Sequence, residues 1–201
     1  LDAAVAMARL ENRIGVASTY FVLLRTEFYN VFSSRGSEAV RTIQDLGHEV
    51  GLHFDAAYYD ADDIDFAEMA ACEGDILETV TSNRIRSFSL HRPHPAMLDN
   101  QLEVPGLVNA YATRFFREAG YCSDSRGAWH HGHPLDRPAV RDGRALQLLT
   151  HPIWWPEYEG EEVHAKLDRF LLRRFDLLRA ELANNCTSYP QAYKTLMHKE
   201  D

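Results

Sequence analysis

Four short apolar runs in this chain each end in side chains that bind metal ions or move protons. Neutral imidazole nitrogen and carboxylate oxygen are the usual ligands of a catalytic divalent metal, and zinc is favoured where imidazole dominates. The pattern therefore predicts one polar site that combines a metal ion with acid–base chemistry. The residues that end the four runs are His53 with Asp55, His91 with Arg92, Asp124, and His151.

Each of these residues also has a structural interpretation when it is taken alone. His53 has apolar neighbours on both sides and suits a hydrogen-bonded core histidine as well as a ligand. Asp55 suits a turn or helix cap, and Asp124 lies in the turn-forming sequence SDSRG. His48 stands at the start of its strand and is predicted to be structural. The common position at strand ends favours the site for the others.

The elements that position these residues alternate between strand and helix along the chain. Connections between them are short, which predicts a parallel sheet or barrel with outer helices in one domain over 1–201. The carboxyl ends of such strands meet at one end of the fold, where active sites lie. The apolar runs predict strands at 16–24, 48–55, 84–93, 120–125 and 145–152, and the helical periodicities lie at about 1–14, 37–47, 66–82 and 161–185.

The last helix shows apolar residues at helical spacing, which predicts that one side of it is buried. That side consists of Val163, Leu167, Phe170, Leu171, Phe175, Leu178 and Leu182.

Composition excludes several classes of protein. The 201 residues contain 21 Lys and Arg against 30 Asp and Glu, a net charge of −9, so no basic surplus exists for binding a nucleic-acid backbone. No apolar run approaches the roughly 20 residues of a membrane span, and no secretory leader is present. Three cysteines without a CxxC pair argue against a disulfide framework and predict a reducing, cytoplasmic location.

The beginning of the sequence predicts that an upstream part is missing. The segment LDAAVAMARLENRIG has the pattern of a helix, with Gly15 as its end, and no capping residue precedes Leu1. We therefore expect a chain truncated at its N-terminus.

Five segments together resemble a known family. The order STYFV, GHEVGLH, LHRP, YCSDSRGAW and LLTHP, within about 1–155, resembles the polysaccharide deacetylases with the NodB-homology fold, which are metal-dependent carbohydrate esterases. It is most similar to a divergent branch found with bacterial O-antigen and capsule biosynthesis genes. The resemblance implies a distorted (β/α) barrel, here lacking its first strand. The family's first motif, an Asp pair that ends this strand, would lie upstream of Leu1.

The resemblance also implies a divalent metal, with zinc expected, held by an Asp and two His. His53 matches the first metal histidine, whereas the position of the second is Ala57. Asp55, or His91 from the neighbouring strand, is the expected replacement.

The remaining motifs imply catalytic roles. Arg92 matches the Arg-Pro loop that orients the catalytic groups, and Asp124 with Trp129 resembles the Asp-Trp motif. His151 matches the Leu-x-His motif, whose histidine acts as general acid and is oriented by a carboxylate, here Asp124. The base that takes the proton from water is either the upstream Asp or Asp55.

Aromatic residues follow His151 closely. Trp154, Trp155 and Tyr158 offer ring faces that suit a sugar, although one of the two tryptophans is equally expected to pack the barrel end.

The expected function is hydrolysis, by a metal-activated water, of an acetyl or similar acyl group on a sugar of a bacterial surface polysaccharide or its precursor. An alternative is a catalytically silent barrel that binds carbohydrate or a biosynthetic partner protein. A third possibility is hydrolysis of a different amide or ester, because a fold does not determine a substrate.

Overall fold

The computed structural model describes residues 1–59, 64–81, 83–93, 97, 102–130, 132–155 and 161–189. By its internal contacts the chain divides into two units, Leu1–Trp155 and Pro156–Asp201. The expectation of one folding domain over 1–201 stays a prediction.

The strands of the first unit form two parallel sheets. The first has the order β1-β2-β3-β4, and the second pairs β5 with β6. A mixed α/β fold with parallel strands, as the alternation predicts, is therefore confirmed. β4 was not predicted, because a strand of two residues is too short to show a periodicity. The strands are β1 (Thr19–Val22), β2 (Glu49–Asp55), β3 (Ser87–His91), β4 (Val108–Asn109), β5 (Gly120–Ser123) and β6 (Leu146–Leu149).

Helices lie at the predicted positions, with different ends. The second helix starts three residues before the predicted Ser37, because Ser33 is the residue that caps it: Ser33 Oγ accepts a hydrogen bond from the Gly36 amide at 3.0 Å. Gly36 packs so tightly that a Cβ there would lie 2.0 Å from the Asn30 carbonyl oxygen. The helices are α1 (Asp2–Arg13), α2 (Ser34–Asp45), α3 (Phe66–Thr81), α4 (Pro138–Arg141) and α5 (Val163–Asn185), with a π-helical turn at Arg114–Glu118.

The core lies between the first sheet and helices α1 to α3. Strands β2 and β3 occupy the middle of this sheet, and they are built almost wholly from buried residues. Burying a large apolar side chain contributes about 1.5–3 kcal/mol, so this region holds the strand ends firmly in place. The largest fully buried side chains include Ile43, Leu52, Phe54, Leu77, Ile85, Phe88 and Leu90.

His48 has the structural role that its position predicts. Its side chain is buried, its Nε2 lies 2.9 Å from the Ala8 carbonyl oxygen, and its Nδ1 accepts a hydrogen bond from the Ser18 amide at 3.2 Å. Both ring nitrogens are thereby used to attach α1 and the start of β1 to the start of β2.

A polar contact and a row of aromatic rings connect the first sheet to the second. Gln147 Nε2, on β6, donates to the Ala110 carbonyl just after β4 at 3.0 Å. The ring of Phe116, in the π-helical turn, lies 5.1 Å from the ring of Tyr111, which follows β4, and 4.9 Å from the ring of Tyr121 on β5. These contacts fix β5 and β6 relative to the first sheet.

The prediction that α5 has a buried side is wrong. The helix forms as predicted, but none of its residues is buried, and Leu171 is 61% exposed. Periodicity predicts the helix and its apolar stripe, but it does not supply a partner. In the described part of the second unit, residues 161–189, α5 is the only long element, and nothing else in that range covers the stripe. Leu167, Phe175, Leu178 and Leu182 are also exposed, whereas Val163 and Phe170 are partly buried.

Among the residues that the structure describes, none of the helices has both the length and the apolar character needed to cross a bilayer.

Candidate active site

Two histidines meet where β2 and β3 end. The parallel register pairs Asp55 with His91, and His53 lies two residues before Asp55 on the same face of β2. As a result His91 Nδ1 lies 3.2 Å from His53 Nε2, with the two rings edge to face at 73°. The structure thus brings together the two histidines that the sequence predicts as metal ligands.

The surroundings of both histidines favour the neutral imidazole. Burial lowers the pKa of His53 to about 3, and the nearby His91 and His151 add to the effect because each would repel a second positive charge. Burial also lowers the pKa of His91, against the opposing effect of Asp55. Neutral imidazole is the form that binds a metal. His151 has the same effect on the pKa of His91.

Asp55 is held by an ion pair. It is 3% exposed, Arg92 Nη2 bonds to its Oδ2, and the Ala57 amide donates to its Oδ1 at 3.1 Å. His91 Nε2, on the far side of that ring from His53, is 3.9 Å from Oδ2. The carboxylate raises the pKa of Arg92 through this bond.

The backbone of Arg92 is strained at this point. Its φ of 51° lies in the left-handed region, which costs a residue with a side chain about 1–2 kcal/mol. This turn comes directly after the end of β3. In this conformation the Arg92 side chain forms its ion pair with Asp55. Backbone strain of this kind is commonly stored at functional sites.

The second sheet contributes Asp124 and His151. Asp124 directly follows β5 and is 4% exposed, and its amide donates to the Leu149 carbonyl at 3.2 Å. Its Oδ1 lies 2.6 Å from His151 Nδ1, and the His151 amide donates to Oδ1 at 2.9 Å and Oδ2 at 3.0 Å. The His151 side chain is 40% exposed. The hydrogen bond between this carboxylate and the histidine ring is therefore present.

The two tryptophans differ in their surroundings. Trp155 is 52% exposed, and its indole Nε1 donates to Asp124 Oδ2 at 2.7 Å. The ring of Trp129 lies 5.9 Å from that of Trp155 and 6.3 Å from that of His133. Trp154 is partly buried in the 3₁₀ turn Pro152–Trp154. Trp155 has the more exposed ring of the two tryptophans, as contact with a ligand would require. The hydrogen bond from its indole N–H to Asp124 was not predicted.

An ion pair near the strand ends, with a buried carboxylate and a half-exposed arginine, was also missed. Glu73, on α3, is 3% exposed and accepts hydrogen bonds from Tyr59 Oη at 2.5 Å and Arg25 Nε at 2.8 Å. Burial raises the pKa of Tyr59 to about 12, so the hydroxyl keeps its proton and donates a hydrogen bond to Glu73. The cluster ties the segments after β1 and β2 to α3. A signal existed, because Glu73 shares a helix face with the buried Ala70 and Leu77.

The predicted site residues thus form two groups. His53, His91, Asp55 and Arg92 lie together at the ends of β2 and β3, and Asp124, His151 and Trp155 lie together after β5 and β6. In the described ranges, no group of three or more His, Cys, Asp or Glu side chains is arranged to hold a metal ion. Tyr158 lies outside the described residues.

Comparison with models of known protein families gives no match, and comparison with curated proteins finds no significant relative. The resemblance to the NodB-type deacetylases therefore remains an expectation from the sequence.

Proposed function

We propose that this chain is a metal-dependent hydrolase that removes an acetyl or similar acyl group from a sugar of a bacterial surface polysaccharide or its precursor. The observation that supports this proposal is the histidine–carboxylate pair His151–Asp124 at the end of β6, within electrostatic range of the His53–His91 pair. An oriented histidine beside two neutral imidazoles combines a proton donor with nitrogen ligands. The proposal includes the distorted barrel, into which the two parallel sheets would close.

The donor set fits a metal ion in part. Ligands at two corners of a tetrahedral zinc site lie about 3.3 Å apart when each Zn–N bond is about 2.0–2.1 Å. The 3.2 Å between His53 Nε2 and His91 Nδ1 matches that separation. Asp55 does not fit as a third ligand here, because its carboxylate is bound by Arg92 and lies near the other nitrogen of His91. His53 and His91 are therefore the residues that would hold the ion.

A bound zinc ion supplies polarisation of the acyl carbonyl and a lowered pKa of water. His151 contributes the proton that the leaving amine or alkoxide needs. Asp124 Oδ1 accepts a hydrogen bond from His151 Nδ1, so Nε2 is the nitrogen of His151 that remains to act as the acid. Asp55, which Arg92 holds in position, is the carboxylate of the first group that would take the proton from the attacking water.

A second candidate function is a silent barrel that binds carbohydrate without cleaving it. The hydrogen bonds from Arg92 and from the Ala57 amide to Asp55 favour this alternative, because each carboxylate oxygen already accepts a hydrogen bond and a water molecule would compete with these donors. The exposed ring of Trp155 would serve a binding protein equally well.

The first experiment is metal content by elemental analysis of the zinc-incubated protein, beside His53→Ala and His91→Ala. His164→Ala, an exposed histidine on α5, is the matched control. We expect about one zinc per chain in the wild type and the control, and none in the two site variants. Stoichiometric zinc in both site variants would refute the ligand assignment.

The second experiment measures acetate released from N-acetylated glucosamine oligomers and from O-acetylated xylan. We expect His151→Ala to slow release by about 100-fold or more, because it removes the general acid. Unchanged turnover would remove His151 from the mechanism. Zinc binding and saccharide binding without acetate release would establish the silent barrel instead.

A further inference from the structure

Trp155 lies four residues after His151, and the chain between them turns back toward Asp124. The 3₁₀ turn Pro152–Trp154 starts directly after His151, and the Trp155 amide closes it on the Pro152 carbonyl at 3.2 Å. This turn brings the indole back over the residue that His151 itself contacts. The separation of 2.7 Å between Nε1 and Asp124 Oδ2 is at the short end for an N–H donor, as expected for a bond to a carboxylate.

The carboxylate of Asp124 is occupied on both sides. Oδ1 accepts a hydrogen bond from the His151 ring, and Oδ2 accepts one from the Trp155 indole. The His151 amide donates to both oxygens. The His151 amide is shared between the two oxygens, whereas the indole bonds Oδ2 alone and at a shorter distance. The indole therefore adds to the restraint on rotation about the Cβ–Cγ bond, and so to the restraint on the direction in which Oδ1 faces the ring of His151.

A tryptophan that only stacks against a sugar does not require the hydrogen bond from its indole N–H to Asp124. The open ring face of Trp155 suits a sugar, and any aromatic residue supplies such a face. The indole N–H edge is different, since among the aromatic side chains only tryptophan and histidine carry a ring N–H donor. Trp129, the neighbouring indole, contacts the ring of Trp155 and makes none of the hydrogen bonds to Asp124 described above.

We propose that Trp155 is a positioning residue, which holds the Asp124 carboxylate and thereby keeps His151 in the tautomer with its proton on Nδ1. The effect of Trp155 on catalysis rests on the proposed hydrolase function. The hydrogen bonds from Trp155 and from His151 to Asp124 do not depend on that function. In this tautomer Nε2 takes up and delivers the proton at the reacting bond, and Nδ1–H stays on Asp124.

The test that needs no substrate is nuclear magnetic resonance of the full chain labelled with ¹⁵N in histidine and tryptophan. We expect a single Nδ1–H tautomer of His151 at neutral pH in the wild type and in Trp129→Phe, and a mixture of both tautomers in Trp155→Phe. Both variants exchange an indole for a phenyl ring, but only the second removes a donor to Asp124. A single unchanged tautomer in Trp155→Phe would overturn the proposal.

A second spectroscopic measurement covers the case in which Trp155→Phe folds poorly. In Asp124→Asn the Trp155 indole N–H signal should move upfield, because a neutral amide is a weaker acceptor than a carboxylate. An indole signal that does not move would show that the bond is not made in solution, and it would overturn the proposal independently.

The kinetic test separates positioning from substrate contact. With an acetylated saccharide that the wild type hydrolyses, Trp155→Phe should lower kcat by about tenfold, the equivalent of about 1.4 kcal/mol, with KM unchanged within about twofold. A raised KM with unchanged kcat would make Trp155 a substrate contact only and would refute the positioning role. If no saccharide is hydrolysed, the hydrolase proposal fails, and the tautomer measurement still decides the role of Trp155.

Discussion

Replacement of Asp124 by Asn tests whether the second half of the site depends on a carboxylate. The residue is 4% exposed and accepts hydrogen bonds from the His151 amide, the His151 ring and the Trp155 indole. Asparagine has one oxygen and one NH₂ group, so it can accept on one side only. If the oxygen faces His151, the NH₂ group faces the Trp155 indole N–H and leaves it unpaired; if the oxygen faces Trp155, the NH₂ group pairs with Nδ1 only when His151 takes its other tautomer. In both orientations the substitution also replaces hydrogen bonds to a charged group by weaker ones.

The magnitude follows from these contacts. A hydrogen bond to a charged group contributes about 1.5–3 kcal/mol, and an unpaired buried donor costs about 1–3 kcal/mol. The partial exposure of His151 allows water to replace part of the loss. We therefore expect Asp124→Asn to lower the free energy of unfolding by about 2–4 kcal/mol, and to slow acetate release by about 100-fold or more because His151 is no longer held in one tautomer.

Urea unfolding at pH 7.5 measures the first effect, as a midpoint lowered by about 1–2 M. The matched control is Asp142→Asn, which removes an ion pair to Arg144 at 3.2 Å whose two side chains are both more than half exposed. Surface pairs of this kind contribute about 0–1 kcal/mol. If Asp124→Asn is as stable as the control, the carboxylate does not hold the donors that the structure assigns to it.

Three further predictions concern the fold, and all are measured by urea unfolding. Leu77→Ala should cost about 2–5 kcal/mol because Leu77 is fully buried, whereas Leu171→Ala on α5 should cost less than about 1 kcal/mol; equal costs would show that the stripe on α5 is covered in solution. Gly36→Ala should cost more than about 2 kcal/mol, because its Cβ would lie 2.0 Å from the Asn30 carbonyl oxygen, and a neutral result would show that this approach is looser. Arg126→Gly should stabilise the chain by about 0.5–1 kcal/mol by relieving a φ of 60°, and destabilisation would show that the side chain contributes more than the strain costs.

Local pattern predicted the elements better than it predicted their partners. Five strands and the long helices follow from apolar runs and helical spacing, because those patterns record burial directly. The start of α2 was predicted at Ser37, whereas Ser33 is the residue that accepts the hydrogen bond from the Gly36 amide, and only the backbone shows which serine does so. The stripe on α5 predicted burial that the structure does not show, since a periodicity states that a face is apolar and not what lies against it.

The position of the site was predictable because parallel strands end together. His53, Asp55 and His91 were placed at adjacent strand ends from the sequence alone, and the register of β2 with β3 aligns Asp55 with His91. The partners of each side chain were not predictable in the same way. Whether Asp55 faces a metal or Arg92 depends on the left-handed turn at Arg92, and no local pattern predicts a positive φ in a residue that is not glycine.

The division of the site between two sheets has a consequence for how such a site changes over generations. Asp55 and Arg92 form one hydrogen-bonded group, Asp124, His151 and Trp155 form another, and no hydrogen bond described here joins the two. A substitution in one group therefore leaves the hydrogen bonds of the other group in place. One half of the candidate site can change while the side chains of the other half keep their partners and the chain keeps its fold.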